Sequence, residues 1–287
     1  MKIEVHIGAM ARHGDTENRY QRLRELGYDS VDEDLCRIKD PWYQDVEEMK
    51  RTCASRREAA EKNGITISQV HGPWPTDDTV PENRRAVWDL FHRSLYGAYL
   101  MGSPILVVHP QMPFGWGGPE DPDEAERVTV GLLEDLMPDA EKYGVTVCLE
   151  NMPFKKQRIS TMPYIRRAVE SVKSEKIGIC FDTGHSNVFG RDPLEDIRIA
   201  GSYLKTLHVH DNDGERDLHL TPFLGTVPWA RFIQGIAESG FQGPLSLETG
   251  GPAEKLAPEA PLTVVDAAEK MNADAARYLA AEIEKAR

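Results

Sequence analysis

The 287-residue chain has no C-x-x-C pair, no glycine-rich phosphate loop, no long apolar run and no excess of positive charge, and each absence removes a class of function. Cys36, Cys53, Cys148 and Cys180 are too widely spaced for a zinc knuckle or a redox pair. Two of them fall in strand-like segments, so they read as free thiols in a reducing cytoplasm. Lysine and arginine number 34 against 47 aspartates and glutamates, a net charge of −13. That balance supplies no basic footprint for nucleic acid and argues against an anionic membrane partner. No apolar run approaches the ~20 residues of a membrane span. Met1 leads straight into the strand-like Ile3 to Gly8, leaving no room for a signal peptide, and the expectation is a soluble cytoplasmic protein. Neither the segment Gly8 to Gly14 nor the Gly-Trp-Gly-Gly run at Gly115 to Gly118 has the strand-to-helix setting of a nucleotide site.

What the chain does contain is a sustained alternation. Strand-like runs are expected at Ile3 to Gly8, Asp29 to Glu33, Ile65 to His71, Ile105 to His109, Val145 to Glu150, Ile177 to Asp182, Leu204 to His210 and Leu245 to Glu248. Helical patterns fill the gaps: Glu17 to Leu26, Val46 to Asn63, Glu82 to Met101, Pro122 to Tyr143, Pro163 to Ser174, Pro193 to Ala200, Trp229 to Ser239 and Val265 to Lys285. Asp121-Pro122 and Asp192-Pro193 each place a capping carboxylate before a proline at the first helical position. Pro138 is expected to kink its helix. Eight such units with no linker between them predict α/β architecture, a single (β/α)8 TIM barrel over residues 1–287. An open doubly wound sheet is the alternative, and it lacks its phosphate loop.

Side chains alternate along a strand, so the apolar set of each run must face the helices and the remainder the barrel interior. That division points Glu150, Asp182, His210 and Glu248 into one mouth, with Cys148, Cys180, His208 and Ser246 in the layer beneath. Three carboxylates and an imidazole gathered there would lose hydration at a cost of several kcal/mol per unpaired ion. A divalent cation removes the conflict, and oxygen-rich ligation with one nitrogen suits Mn2+ best, or Mg2+ or Co2+. Each of these residues taken singly could equally be a capped strand end. Trp74, Trp116, Phe114 and Met112 lie in loops on the same face, where they could wall a sugar ring or pack a subunit interface, so a homo-oligomer stays open.

The motifs Leu-Glu-Asn-Met-Pro at 149–153, Phe-Asp-Thr-Gly-His at 181–185, His-Val-His-Asp-Asn-Asp at 208–213 and Leu-Ser-Leu-Glu-Thr at 245–249 resemble the xylose-isomerase-like barrel superfamily, which holds sugar isomerases, epimerases and apurinic-site endonucleases. The resemblance covers nearly the whole chain. It implies Glu150, Asp182, His210 and Glu248 as metal ligands, as in ketose 3-epimerases, with His185 and Arg216 holding substrate oxygens; His208 also sits in the motif, but His210 lies nearer the strand's open end and His208 reads as a core histidine. His71, His109 and Trp116 join them as candidate substrate contacts. Glu150 and Glu248 would serve as paired acid and base on a sugar or related polyol ketone. The nuclease branch uses more metal ligands, and His71, His109, Asp217 and His219 occupy those places. Acidic charge and the lack of a DNA-holding loop favour the sugar branch. A sugar-binding barrel without turnover is the third reading.

Overall fold

The computed structural model describes residues 1–74, 81–118, 120–250, 253 and 255–287. Eight strands form one parallel sheet: β1 (Ile3–His6), β2 (Ser30–Asp34), β3 (Thr66–His71), β4 (Ile105–Val108), β5 (Thr146–Glu150), β6 (Ile177–Asp182), β7 (Leu204–His208) and β8 (Leu245–Leu247). Their order, β7-β6-β5-β4-β3-β2-β1-β8, follows the chain, with β8 beside β1. The ring closes where Val209 pairs with Leu247: Val209 N donates to Ser246 O at 2.8 Å and Glu248 N to Val209 O at 3.1 Å. This is the expected TIM barrel.

Ten helices are described, most of them between strands: α1 (Thr16–Leu26), α2 (Pro41–Gln44), α3 (Val46–Asn63), α4 (Arg84–Met101), α5 (Pro122–Tyr143), α6 (Met162–Ser171), α7 (Thr183–Val188), α8 (Pro193–Ala200), α9 (Trp229–Ser239) and α10 (Leu262–Ala286). Local chemistry sets their ends. The Asp121 carboxylate accepts from the backbone N–H groups of Asp123 and Glu124, and Pro122 stands at the first position, so α5 starts there. It runs through Pro138 to Gly144, whose φ of 72° is the left-handed turn that stops a helix. The short α2 and α7 were not expected; four- and six-residue helices carry too little periodicity to read. No helix among the described residues is long and apolar enough to cross a membrane.

Val5, Val31 and Leu247 pack into the main core between sheet and helices, which turns Glu4, Ser30, Asp32 and Ser246 to the interior of the ring. Bonds across the barrel agree: Gln69 Nε2 on β3 donates to Ser246 Oγ on β8 at 3.1 Å, and the Thr206 hydroxyl on β7 bonds the Gln69 amide oxygen. Val107, Cys148 and Cys180 fill the opposite side of the interior as a small apolar cluster joined by Ile105.

Candidate active site at the barrel mouth

Glu150, Asp182 and His208 are the last residues of β5, β6 and β7, and Glu248 follows β8. One ligand atom from each of the four lies within 4.8 Å of the others. His208 Nδ1 stands 3.0 Å from Glu150 Oε1 and 3.3 Å from Glu248 Oε2, and its Nε2 stands 3.2 Å from Asp32 Oδ2. His208, Asp32, Glu150 and Asp182 are completely buried. The Glu248 side chain keeps 12% of its surface and opens to solvent.

Two further donor groups flank this one. His71, His109 and Glu150 form the first, with His109 Nε2 at 3.4 Å from Glu150 Oε2 and His71 Nε2 at 3.4 Å from Glu248 Oε1. His185, His210, Asp217 and His219 form the second. There Asp217 Oδ2 lies 3.3 Å from His185 Nε2 and 3.1 Å from His219 Nε2, and the His210 and His219 rings stack at 4.2 Å. His219 sits at φ 47°, a strained backbone for a non-glycine residue, while its Nδ1 lies 2.8 Å from Glu248 O.

The motifs lead one to expect His210 beside the glutamates and His208 in the layer below; the structure brings His208 to Glu150 and Glu248 and His210 to Asp182. The reason is where β7 ends. Its ladder stops at His208, and the chain turns so that the His210 ring lies over Gly184 at the start of α7. A Cβ at Gly184 would come within 1.9 Å of His210 Cε1, so only glycine fits. His210 still reaches Asp182, with Nε2 at 3.1 Å from Oδ1. His185 Nδ1 donates to Asn151 O over 2.7 Å. Arg216 is not brought in: it is exposed, and its guanidinium pairs with Asp213 at 2.7 Å. Asp32 escaped the sequence reading, although its alternation with Ser30 along β2 carried the signal.

Charge in the mouth is tightly coupled. Burial would raise the Glu150 carboxyl, yet His208 beside it and the nearby His109 hold it below the usual carboxylate range. Burial likewise opposes charge on His208, but Cys180, Glu150 and Glu248 raise it well above an ordinary histidine. His219 is lifted to about 9, Glu248 and Asp217 outweighing its burial. Burial lowers His109. Both Glu150 oxygens, Asp182 Oδ2, Glu248 Oε2 and both His208 nitrogens have no aligned hydrogen bond. Orphaned polar atoms at this density call for a group to satisfy them. Separations of 3.0–3.3 Å between His208 Nδ1 and the glutamate oxygens match the edge, about 3.0 Å, of an octahedron with ~2.1 Å bonds, so the residues fit a divalent cation.

A cavity of about 520 Å3, lined by His6, Arg37, Asp217, His219, Glu248 and Lys255, opens beside the group. An aromatic wall stands over His109: Trp74 lies 4.6 Å from that ring and stacks on Trp116 at 5.2 Å, which stacks on Phe154 at 5.3 Å.

Known proteins resemble most of the chain. A D-psicose 3-epimerase of Ruminiclostridium cellulolyticum is 24% identical over 261 residues, 86% of this chain and 83% of that protein. An uncharacterised protein of Methanocaldococcus jannaschii, MJ1311, is 28% identical over 186 residues, 62% of this chain and 63% of the relative. The crystal structure of IOLI protein with a binding zinc atom superposes with a TM-score of 0.75 at 15% identity, covering 99% of this chain and 98% of the other. The sequence model of the xylose isomerase-like TIM barrel matches residues 20–274, and the chain belongs to that family.

Proposed function

We propose that the protein is a divalent-metal-dependent isomerase or epimerase of a sugar or related polyol ketone, with Glu150 and Glu248 as its paired base and acid. The observation that carries this reading is the placement of two glutamate carboxylates on one imidazole nitrogen, 3.0 and 3.3 Å from His208 Nδ1. A D-psicose 3-epimerase among the relatives supports the reaction class, and the zinc-bound structural neighbour supports a metal.

Glu150, Asp182, Glu248 and His208 or His210 would hold the cation, Mn2+ suiting the oxygen-rich set best, with Mg2+ or Co2+ as alternatives. When bound it would polarise the substrate carbonyl. Glu150 removes the proton from the carbon beside that carbonyl; the C–H electron pair becomes the C=C bond of an enediolate, and Glu248 delivers a proton to the opposite face. In the reverse direction the two exchange roles. His109 and His185, each with a ring nitrogen 3.4 Å from a Glu150 oxygen, would hold substrate hydroxyls. Trp74 and Trp116 offer an apolar surface to the C–H face of a sugar ring.

The test is turnover of ketoses in D2O. Deuterium should enter the product at the carbon beside the carbonyl, because a carboxylic acid exchanges its proton with solvent. Unlabelled product from an active enzyme would replace proton transfer by a hydride shift.

The two extra donor groups favour a second reading, a metal phosphoesterase acting on abasic DNA. Incision of an abasic duplex should be absent; robust incision lost in both His109→Ala and His219→Ala would overturn the first reading. Ketose binding without turnover of any substrate would instead mark a sugar-binding barrel.

A further inference from the structure

We infer that Asp32 is a positioning residue that fixes the His208 ring with Nε2 toward the barrel interior and Nδ1 toward Glu150 and Glu248. The inference rests on the proposed mouth site, but its first test does not require a metal.

Asp32 lies on β2, on the opposite side of the ring from β6, and its side chain is completely buried. Neither of its carboxylate oxygens has an aligned hydrogen-bond partner among the described residues. A carboxylate in that position costs several kcal/mol unless a donor meets it. The His208 Nε2 atom is 3.2 Å away. Packing holds the plane of that ring, because His71 stacks on it at 5.3 Å with only 5° between the planes. Within that plane two orientations remain, and a flip would move both nitrogens off the carboxylates they face. With Asp32 in place, the proton belongs on Nε2. Nδ1 is then the nitrogen left to answer Glu150 and Glu248, by donating a proton to them or by sharing a cation with them. Histidine ligands are commonly oriented by a carboxylate on the far nitrogen, and loss of that partner costs 10–100-fold in metal affinity. The polar side of the interior, where Glu4, Ser30, Gln69, Thr206 and Ser246 are also buried, lets β2 carry an acid at this depth.

The decisive measurement uses the wild-type, metal-free chain labelled with 15N-histidine. His208, assigned by its absence in His208→Gln, should show a protonated Nε2; an unprotonated Nε2 overturns the inference. Asp32→Asn keeps the volume and should shift the His208 nitrogens while leaving those of His210 in place. In chelator competition with Mn2+, Asp32→Asn should bind 10–100-fold more weakly than wild type. Asp32→Ser provides the same comparison where the amide impairs folding. Asp32 would be merely structural, and the inference wrong, were both variants to melt at lower temperature yet bind Mn2+ as wild type does. A wild-type chain that takes up no Mn2+, Mg2+, Co2+ or Zn2+ would sink the proposed function, and the nitrogen spectrum would still decide the role of Asp32.

Discussion

The two halves of the barrel interior are built on opposite principles. Beneath β4, β5 and β6 the filling is Val107, Cys148 and Cys180, small groups with no charge to satisfy. Beneath β1, β2, β3, β7 and β8 it is Glu4, Ser30, Asp32, Gln69, Thr206, His208 and Ser246, all buried, with Gln69 bonded across the ring to Ser246 and Thr206. Glu150, proposed as one of the paired acid and base, rises from the apolar half and Glu248 from the polar half. Glu150 has Cys180 of the apolar half beside it, yet both glutamates meet His208 of the polar half, at 3.0 and 3.3 Å from its Nδ1.

The largest effect should come from erasing the difference. Val107→Asp places an unpaired charge on the apolar side and should cost several kcal/mol in denaturant unfolding. Ser30→Ala on the polar side removes a hydroxyl that has no aligned partner and should cost less than about 1 kcal/mol. A Val107→Asp cost as small as that of Ser30→Ala would mean that the apolar half tolerates a buried charge.

Next in size is catalysis. Glu150→Gln and Glu248→Gln should each lower turnover by at least ~100-fold, the range for losing a positioned acid or base. Because Gln also weakens a metal site, metal content must be measured beside the rates. Activity retained in metal-loaded variants would remove both glutamates from proton transfer.

A smaller effect concerns Glu4, whose carboxyl is pushed up to about 8 by burial, with Asp32 adding to it. Its folded-state value lies above the 4.5 of an ordinary glutamate, so the stability it contributes is full below 4.5 and is lost as pH climbs toward about 8. Glu4→Gln should flatten the fall in melting temperature over that window, by a few degrees, on the order of 1 kcal/mol. An unchanged pH profile would show that Glu4 is ionised throughout.

The same contrast explains what could be read before folding. Strand number, barrel closure and the mouth carboxylates Glu150, Asp182 and Glu248 follow from alternation, a local property of each run. Which of His208 and His210 meets the glutamates does not, because the end of β7 is set by the pairing of Val209 with Leu247, which joins the last two strands across 38 residues of sequence. Asp32 and Glu4 look like ordinary polar positions of short strands; only closure of the ring buries them. The helices α2 and α7 span fewer than two turns, too few for a hydrophobic period to repeat.

Arg216 gives the smallest expected effect and the sharpest test of what a motif alone conveys. Its place six residues after His210 implies a contact with substrate oxygens, but the side chain is 72% exposed and its charge is already answered. Asp213 accepts from the Arg216 backbone N–H at 2.8 Å and from its Nε at 2.8 Å, and this backbone bond together with the guanidinium pulls the Asp213 carboxyl to about 2. To reach the mouth, the guanidinium would have to leave that partner and cross solvent. Arg216→Ala should therefore change kcat/KM by less than about twofold, as surface substitutions commonly do. A loss approaching that of the glutamate variants would show that the 211–217 loop closes on substrate. The Arg216–Asp213 pair would then be the open state of a catalytic arm, and Asp213→Ala should lower KM by freeing it.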